Sequence, residues 1–101
     1  MDPLFFDWDR KKNEINQEKH KVSFEEASTV FYDPNSLLRN DPDHSENEER
    51  FVLLGMSYNA RLLVVVHCFR ESETLIRIIS ARKATKTEME QYAKGGAGYE
   101  R

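Results

Sequence analysis

Cysteine is almost absent from this 101-residue chain: only Cys68 is present, so no disulfide can form within it, and a reducing compartment such as the cytoplasm is expected. A buried structural thiol is the expected role for Cys68. Metal chemistry lacks its usual ligands too, because His20, His44 and His67 are far apart and no Cys or His pair has ligand spacing. No metal and no cofactor are expected. Long apolar runs are also missing; the longest, residues 62–66, cannot span a bilayer, and no membrane role is expected. Met1-Asp2-Pro3 shows no secretory signal, and no internal repeat is found.

What is present points to one folded unit. With 39% hydrophobic and 33% charged residues the chain is too apolar to be disordered. A chain of this length buries only about two thirds of its unfolded surface, so a single small core is expected over residues 1–94, followed by a flexible tail at 95–101. The net charge of -3 conceals an asymmetry. Residues 1–50 carry 7 Lys+Arg against 13 Asp+Glu, and residues 51–101 carry 8 against 5. A local positive patch in the second half can therefore attract phosphate on an acidic protein.

Leu4-Phe5-Phe6-Asp7-Trp8 reads as a short strand, after which Asp9 caps a helix running to about His20. Ile15 is the only large apolar residue of that helix, so most of its surface is expected to face water or a partner. Ser23-Phe24-Glu25-Glu26 has the capping-box pattern, and Phe24, Ala27, Val30 and Phe31 follow at core spacing. Asp33-Pro34-Asn35 ends this second helix. Ser36-Leu37-Leu38-Arg39 is a candidate edge strand, and residues 40–49, with Pro42 and five acidic side chains, read as a solvated loop.

Three strands at 50–57, 61–70 and 74–83 then form two successive hairpins, and Thr85 or Thr87 caps a short last helix containing Met89 and Tyr92. The fold class is therefore α+β, with two N-terminal helices on one face of a three-stranded antiparallel sheet. Regular hairpin registers place His67 opposite Phe51 on one side and Arg77 on the other. In that register Val52, Leu54, Val64, Val66, Ile76 and Ile78 pack against the early helices, and the face with His67 and Arg77 stays open. A bulge would re-aim part of a strand, since one extra residue reverses side-chain direction.

His67, Arg70, Arg77 and Arg82 on adjoining strands form a candidate phosphate site, because arginine presents a planar fork suited to phosphate oxygens. A core role for His67 and ion pairing of each arginine with the acidic first half are the structural alternatives. Phe51 or Phe69 could stack on a base or simply pack.

The residues as a whole resemble the BrnT toxins of bacterial type II toxin-antitoxin systems. The resemblance rests on Phe6-Asp7-Trp8-Asp9 with Lys12 and Asn16, then Lys19-His20 with Val22-Ser23-Phe24-Glu25-Glu26-Ala27 and Val30-Phe31. It continues through His44, Glu49-Arg50-Phe51, Gly55, Arg61-Leu62-Leu63-Val64-Val65-Val66-His67, Arg70, and Arg77-Ile78-Ile79-Ser80-Ala81-Arg82-Lys83-Ala84-Thr85. It implies a RelE-like microbial ribonuclease fold, RNA cleavage that arrests translation and growth, and neutralisation by a BrnA-like antitoxin with a ribbon-helix-helix region. Operator DNA would be reached only through that antitoxin.

A ribonuclease working without metal needs a base for the ribose 2′-hydroxyl, cations for the phosphate, and an acid for the leaving oxygen. His67 is the expected base or acid, with Arg70, Arg77 and Arg82 on the scissile phosphate. Lys12 and His20, in matched motif positions, and Tyr92 of the last helix are second candidates. Two rival roles are a non-catalytic RNA- or ribosome-binding module and a structural co-repressor partner of the antitoxin. The acidic first half predicts a basic antitoxin surface where the two meet.

Overall fold

The computed structural model describes residues 3–41 and 48–96. Its elements are β1 (Phe5–Asp7), α1 (Arg10–His20), α2 (Phe24–Thr29) running into a 3-10 turn (Val30–Tyr32), β2 (Leu37–Asn40), β3 (Phe51–Met56), β4 (Leu62–Arg70), β5 (Ser72–Lys83) and α3 (Lys86–Ala93). The sheet has five strands where three were expected, in the order β1-β5-β4-β3-β2. The candidate edge strand joins it antiparallel, with Leu38 opposite Leu53. The N-terminal strand adds to the far edge in parallel, with Phe6 opposite Ile76, so the sheet is mixed. Most of residues 40–49, with His44, lie outside the described residues.

Polar side chains dock α1. Asp9 caps it by accepting the Lys11 and Lys12 amides at 2.8 and 3.1 Å. Ile15, its one large apolar residue, points outward and is 54% exposed. In its place Asn16 is buried: its amide donates to the carbonyls of Val22 and Ala81, both at 2.8 Å, and its oxygen accepts the Ala81 N–H at 3.1 Å. Asn13, also buried, accepts the Phe24 N–H at 2.9 Å and donates to Glu25 at 3.1 Å. One helix face with almost no hydrocarbon is thus tied to β5 and to the start of α2.

Ser23 caps α2 by accepting the Glu26 N–H at 3.0 Å. The reciprocal half of the expected capping box is absent. Glu26 turns inward, where its carboxylate accepts from Arg61 and from Ser57 Oγ at 2.7 Å. A guanidinium in reach gives a buried carboxylate a stronger partner than a neutral amide does. At α3 the full box forms, with Thr85 and Glu88 as its members.

The expected assignment of sheet faces is reversed for β3 and β4, while Ile76 and Ile78 of β5 pack against the early helices as expected. Val22, Phe24, Ala27 and Val30 pack on Leu53, Leu63, Val65, Ile76, Ile78 and Ala81. Val52, Leu54, Val64 and Ala84 form a second cluster on the other face, with Leu37, Leu62, Val66 and Tyr92 of α3 against it. Because α3 covers one end of that face, both sides of β4 are apolar, and hydrophobic parity could not tell one from the other.

Gly55 lies where the 3-10 turn crosses the sheet. A Cβ there would stand 2.7 Å from Val30 Cγ1 and 2.9 Å from Ser36 Cβ. Gly55→Ala is expected to cost about 2 kcal/mol through overpacking, read as a lower urea midpoint at unchanged slope. An unaltered midpoint would show that the turn yields freely.

Candidate active site on the arginine-bearing sheet face

The β3–β4 register is as expected, with Phe51 opposite His67 and Leu53 opposite Val65. The β4–β5 register is not. Glu71 takes a left-handed conformation (φ 61), Arg70 pairs with Ser72, and irregularities fall between Phe69 and Arg70 and between Val66 and His67. His67 therefore meets Ile78, and Arg77 meets Cys68. The proposed His67–Arg77 pair does not form: an extra residue in β5 sends the two side chains to opposite faces.

His67 is wholly buried on the helix-covered side. Phe31 stands edge-on to it with ring centroids 4.7 Å apart, Phe69 edge-on at 5.4 Å and Phe51 at 6.0 Å. Its Nδ1 lies 3.2 Å from the Val65 carbonyl, and Nε2 finds no hydrogen-bond partner among the described residues. Burial pushes its pKa down to about 4, opposed weakly by the Val65 carbonyl.

The opposite face carries the arginines. Arg77 donates to Asp7, its parallel neighbour on β1. Its charge is felt in two directions. Asp9 is held below the usual carboxylate range by the amides of Lys12 and Lys11, and further by the charges of Lys12 and Arg77. Burial pushes the Cys68 thiol up, and the adjacent Glu48 carboxylate pushes it further, against the charges of Arg70 and Arg77. Arg77 thus pairs with Asp7 and shares the surroundings of Cys68 with Arg70 and Glu48. Glu48 lies in turn 3.5 Å from Arg50 Nε. Among the described residues, no three His, Cys, Asp or Glu side chains gather in a way that could hold a metal ion.

Residues 8–88 match the family described as the ribonuclease toxin, BrnT, of type II toxin-antitoxin systems. The chain belongs to the BrnT family. Its fold is that of a solved member: the crystal structure of the Brucella abortus ribonuclease toxin BrnT is similar at a TM-score of 0.58 and 18% identity, covering 82% of this chain and 99% of that one. No match is found among curated proteins. A BrnT-family chain is a ribonuclease toxin of a type II toxin-antitoxin system, which gives it RNA as substrate class and an antitoxin as partner.

The remaining candidates of this BrnT-family chain fall elsewhere. Arg82 faces the same side as Arg77 but is opposite Val64, about 13 Å away along β4. There it forms a two-pronged pair with Glu88, both contacts at 2.9 Å, which fastens α3 to β5. Tyr92 donates to Asp33 at 2.6 Å, and burial followed by that carboxylate pushes its pKa up to about 12. His20 closes α1 about 16 Å beyond Asp9 along the helix axis. Of the seven sequence candidates, Arg70 and Arg77 both act on the Cys68 thiol; Lys12, on α1, shares with Arg77 only an effect on Asp9, and His67, His20, Arg82 and Tyr92 lie elsewhere. Asp7 and Glu48 were missed, Asp7 because a parallel strand pairing has no local signal and Glu48 because it sits in an acidic run that reads as loop. No helix among the described residues is long and apolar enough to cross a membrane.

Proposed function

We propose that the chain is a metal-independent endoribonuclease of the cytoplasm that arrests translation and growth. A BrnA-like ribbon-helix-helix antitoxin neutralises it, and operator DNA is reached only through that partner. The observation carrying the catalytic part is the position of Arg77, half-buried on the sheet face away from α1 and α2, with its charge and that of Arg70 both acting on Cys68 opposite it.

In this reading a phosphate of the RNA takes the place of Asp7 on Arg77. The exchange is easy, because Asp7 is 48% exposed and an ion pair of that kind is worth at most about 1 kcal/mol. Arg77, with Arg70, then stabilises the charge that builds on the phosphate as the 2′-hydroxyl attacks and the 5′-oxygen leaves. His67 stays in the core and Arg82 holds α3. The RelE-like relation implied by the sequence fits this use of the sheet face for RNA.

Arg77→Ala should lower RNA cleavage on the order of 100-fold or more and relieve growth arrest, with the thermal midpoint little changed. Full cleavage by that variant would remove Arg77 from the site. Cleavage by the wild type that persists in excess chelator supports the metal-independent route; its complete loss rejects it. The burial of His67, which leaves no histidine at Arg77 among the described residues, favours one alternative, RNA binding without cutting. Growth arrest with intact transcripts would identify that alternative.

A further inference from the structure

β4 runs past the end of β3, and the space beside it is a cleft of 570 Å³ lined by Phe51, Cys68, Phe69, Arg70 and the three carboxylates of Glu48, Glu49 and Glu71. Glu48 reaches the wall of this cleft from a bridge position just before β3. On one side its carboxylate stands 3.5 Å from Arg50 Nε, which has no hydrogen-bond partner among the described residues. On the other it meets the Cys68 thiol, directly opposite Arg77 on β5. Three carboxylates, the Arg70 guanidinium and two half-buried aromatic rings therefore line one opening large enough for a nucleotide, with Arg77 opposite Cys68 on the next strand.

Resting on the ribonuclease reading above, we infer that this cleft receives one nucleotide of single-stranded RNA and that Glu48 is the general base of the cleavage. Phe51 and Phe69 offer ring edges and faces for the base, and Arg70 and Arg77 hold the 3′-phosphate of the seated nucleotide. Glu48 takes the proton of the ribose 2′-hydroxyl. The 2′-oxygen forms a bond to phosphorus while the bond from phosphorus to the 5′-oxygen breaks. That oxygen leaves with the electron pair and takes a proton from water, and Glu48 returns its own to solvent. The products are a 2′,3′-cyclic phosphate and a 5′-hydroxyl end, with no oxidant or metal required. Arg50 orients the carboxylate, and the buried thiol beneath it serves as floor.

The test compares the full-length wild type, Glu48→Gln, Glu48→Asp and Arg77→Ala on a mixed-sequence single-stranded transcript. Cleavage rate, RNA binding and thermal midpoint are measured for each. Glu48→Gln keeps the shape and loses the base, so a loss on the order of 100-fold or more in rate is expected, at unchanged RNA binding and midpoint. Glu48→Asp should keep part of the activity, and wild-type products should end in cyclic phosphate. Cleavage by Glu48→Gln within about threefold of wild type, with Arg77→Ala inactive, would overturn the base assignment and leave the ribonuclease reading standing. A rate loss matched by an equal loss of RNA binding or of folding would also overturn it, making Glu48 a partner of Arg50 only. A wild type that binds the transcript and never cuts it would overturn both.

Discussion

Replacing Arg61 with alanine is expected to destabilise the chain by about 3 kcal/mol, a fall of roughly 15 °C in thermal midpoint for a domain of this size. Glu26 is the reason. Its side chain is 7% exposed, and its carboxylate accepts from Arg61 and from Ser57. The same guanidinium donates to the carbonyl of Lys21 at 3.0 Å, the left-handed residue that ends α1. One side chain therefore joins the β3–β4 hairpin to α2 and to the α1–α2 turn. Removing it leaves a carboxylate in the interior with only the neutral side chains of Ser57 and Asn59 for company.

The pH dependence of this deficit has a definite sign. The Arg61 contact holds Glu26 below its ordinary value of 4.5, against burial and with help from Ser57. Its stabilisation is fully present above that value and is lost as pH falls through the lowered folded-state pKa. The gap between wild type and Arg61→Ala should thus be widest near neutral pH and should narrow in acid. Adding Glu26→Gln to Arg61→Ala should restore part of the loss, since the unpaired charge is gone. A single-variant cost under about 1 kcal/mol would mean that the pair behaves as a surface contact.

The second large effect belongs to His67. Burial lowers its pKa from 6.5 to about 4, so between those values the unfolded chain holds a proton that the folded chain refuses. At about 1.4 kcal/mol for each pH unit, folding should lose about 3 kcal/mol of stability as pH falls from 6.5 to 4, and no more from this source below it. Urea midpoints of wild type and His67→Leu measured from pH 7 to 4 check this. The variant starts less stable because it breaks the packing with Phe31, Phe51 and Phe69, and the two curves should converge as pH falls. Parallel curves would show that His67 already titrates normally in the folded chain.

Both effects concern residues whose roles the sequence left open. Arg61 and Glu26 stand 35 positions apart, and no local pattern joins a capping-box glutamate to a hairpin arginine. His67 shows the limit of parity more sharply. Its partner on β3 was legible, because β3 and β4 pair without a shift of register. Its partner on β5 was not, because Glu71 adopts a left-handed turn and the strand carries an additional residue, two features with no glycine or asparagine to announce them. The same displacement decided which arginines share a site. It moved Arg77 to the face of Cys68, while Ala81 kept the face expected for it.

The sequence by itself determined the order of elements and their caps. Asp9, Ser23 and Thr85 each satisfy free amides within three residues, and Asp33-Pro34 can end a helix without help from the rest of the chain. It also determined the family, since the motif residues occur in a matched order over most of the chain. The tertiary structure alone decided which sheet face the helices cover, where the two edge strands attach, and which charges meet. Those outcomes depend on pairings between residues up to 70 positions apart, such as Asp7 with Arg77. A one-residue change of register reverses such pairings, while the local signals that form each strand stay the same.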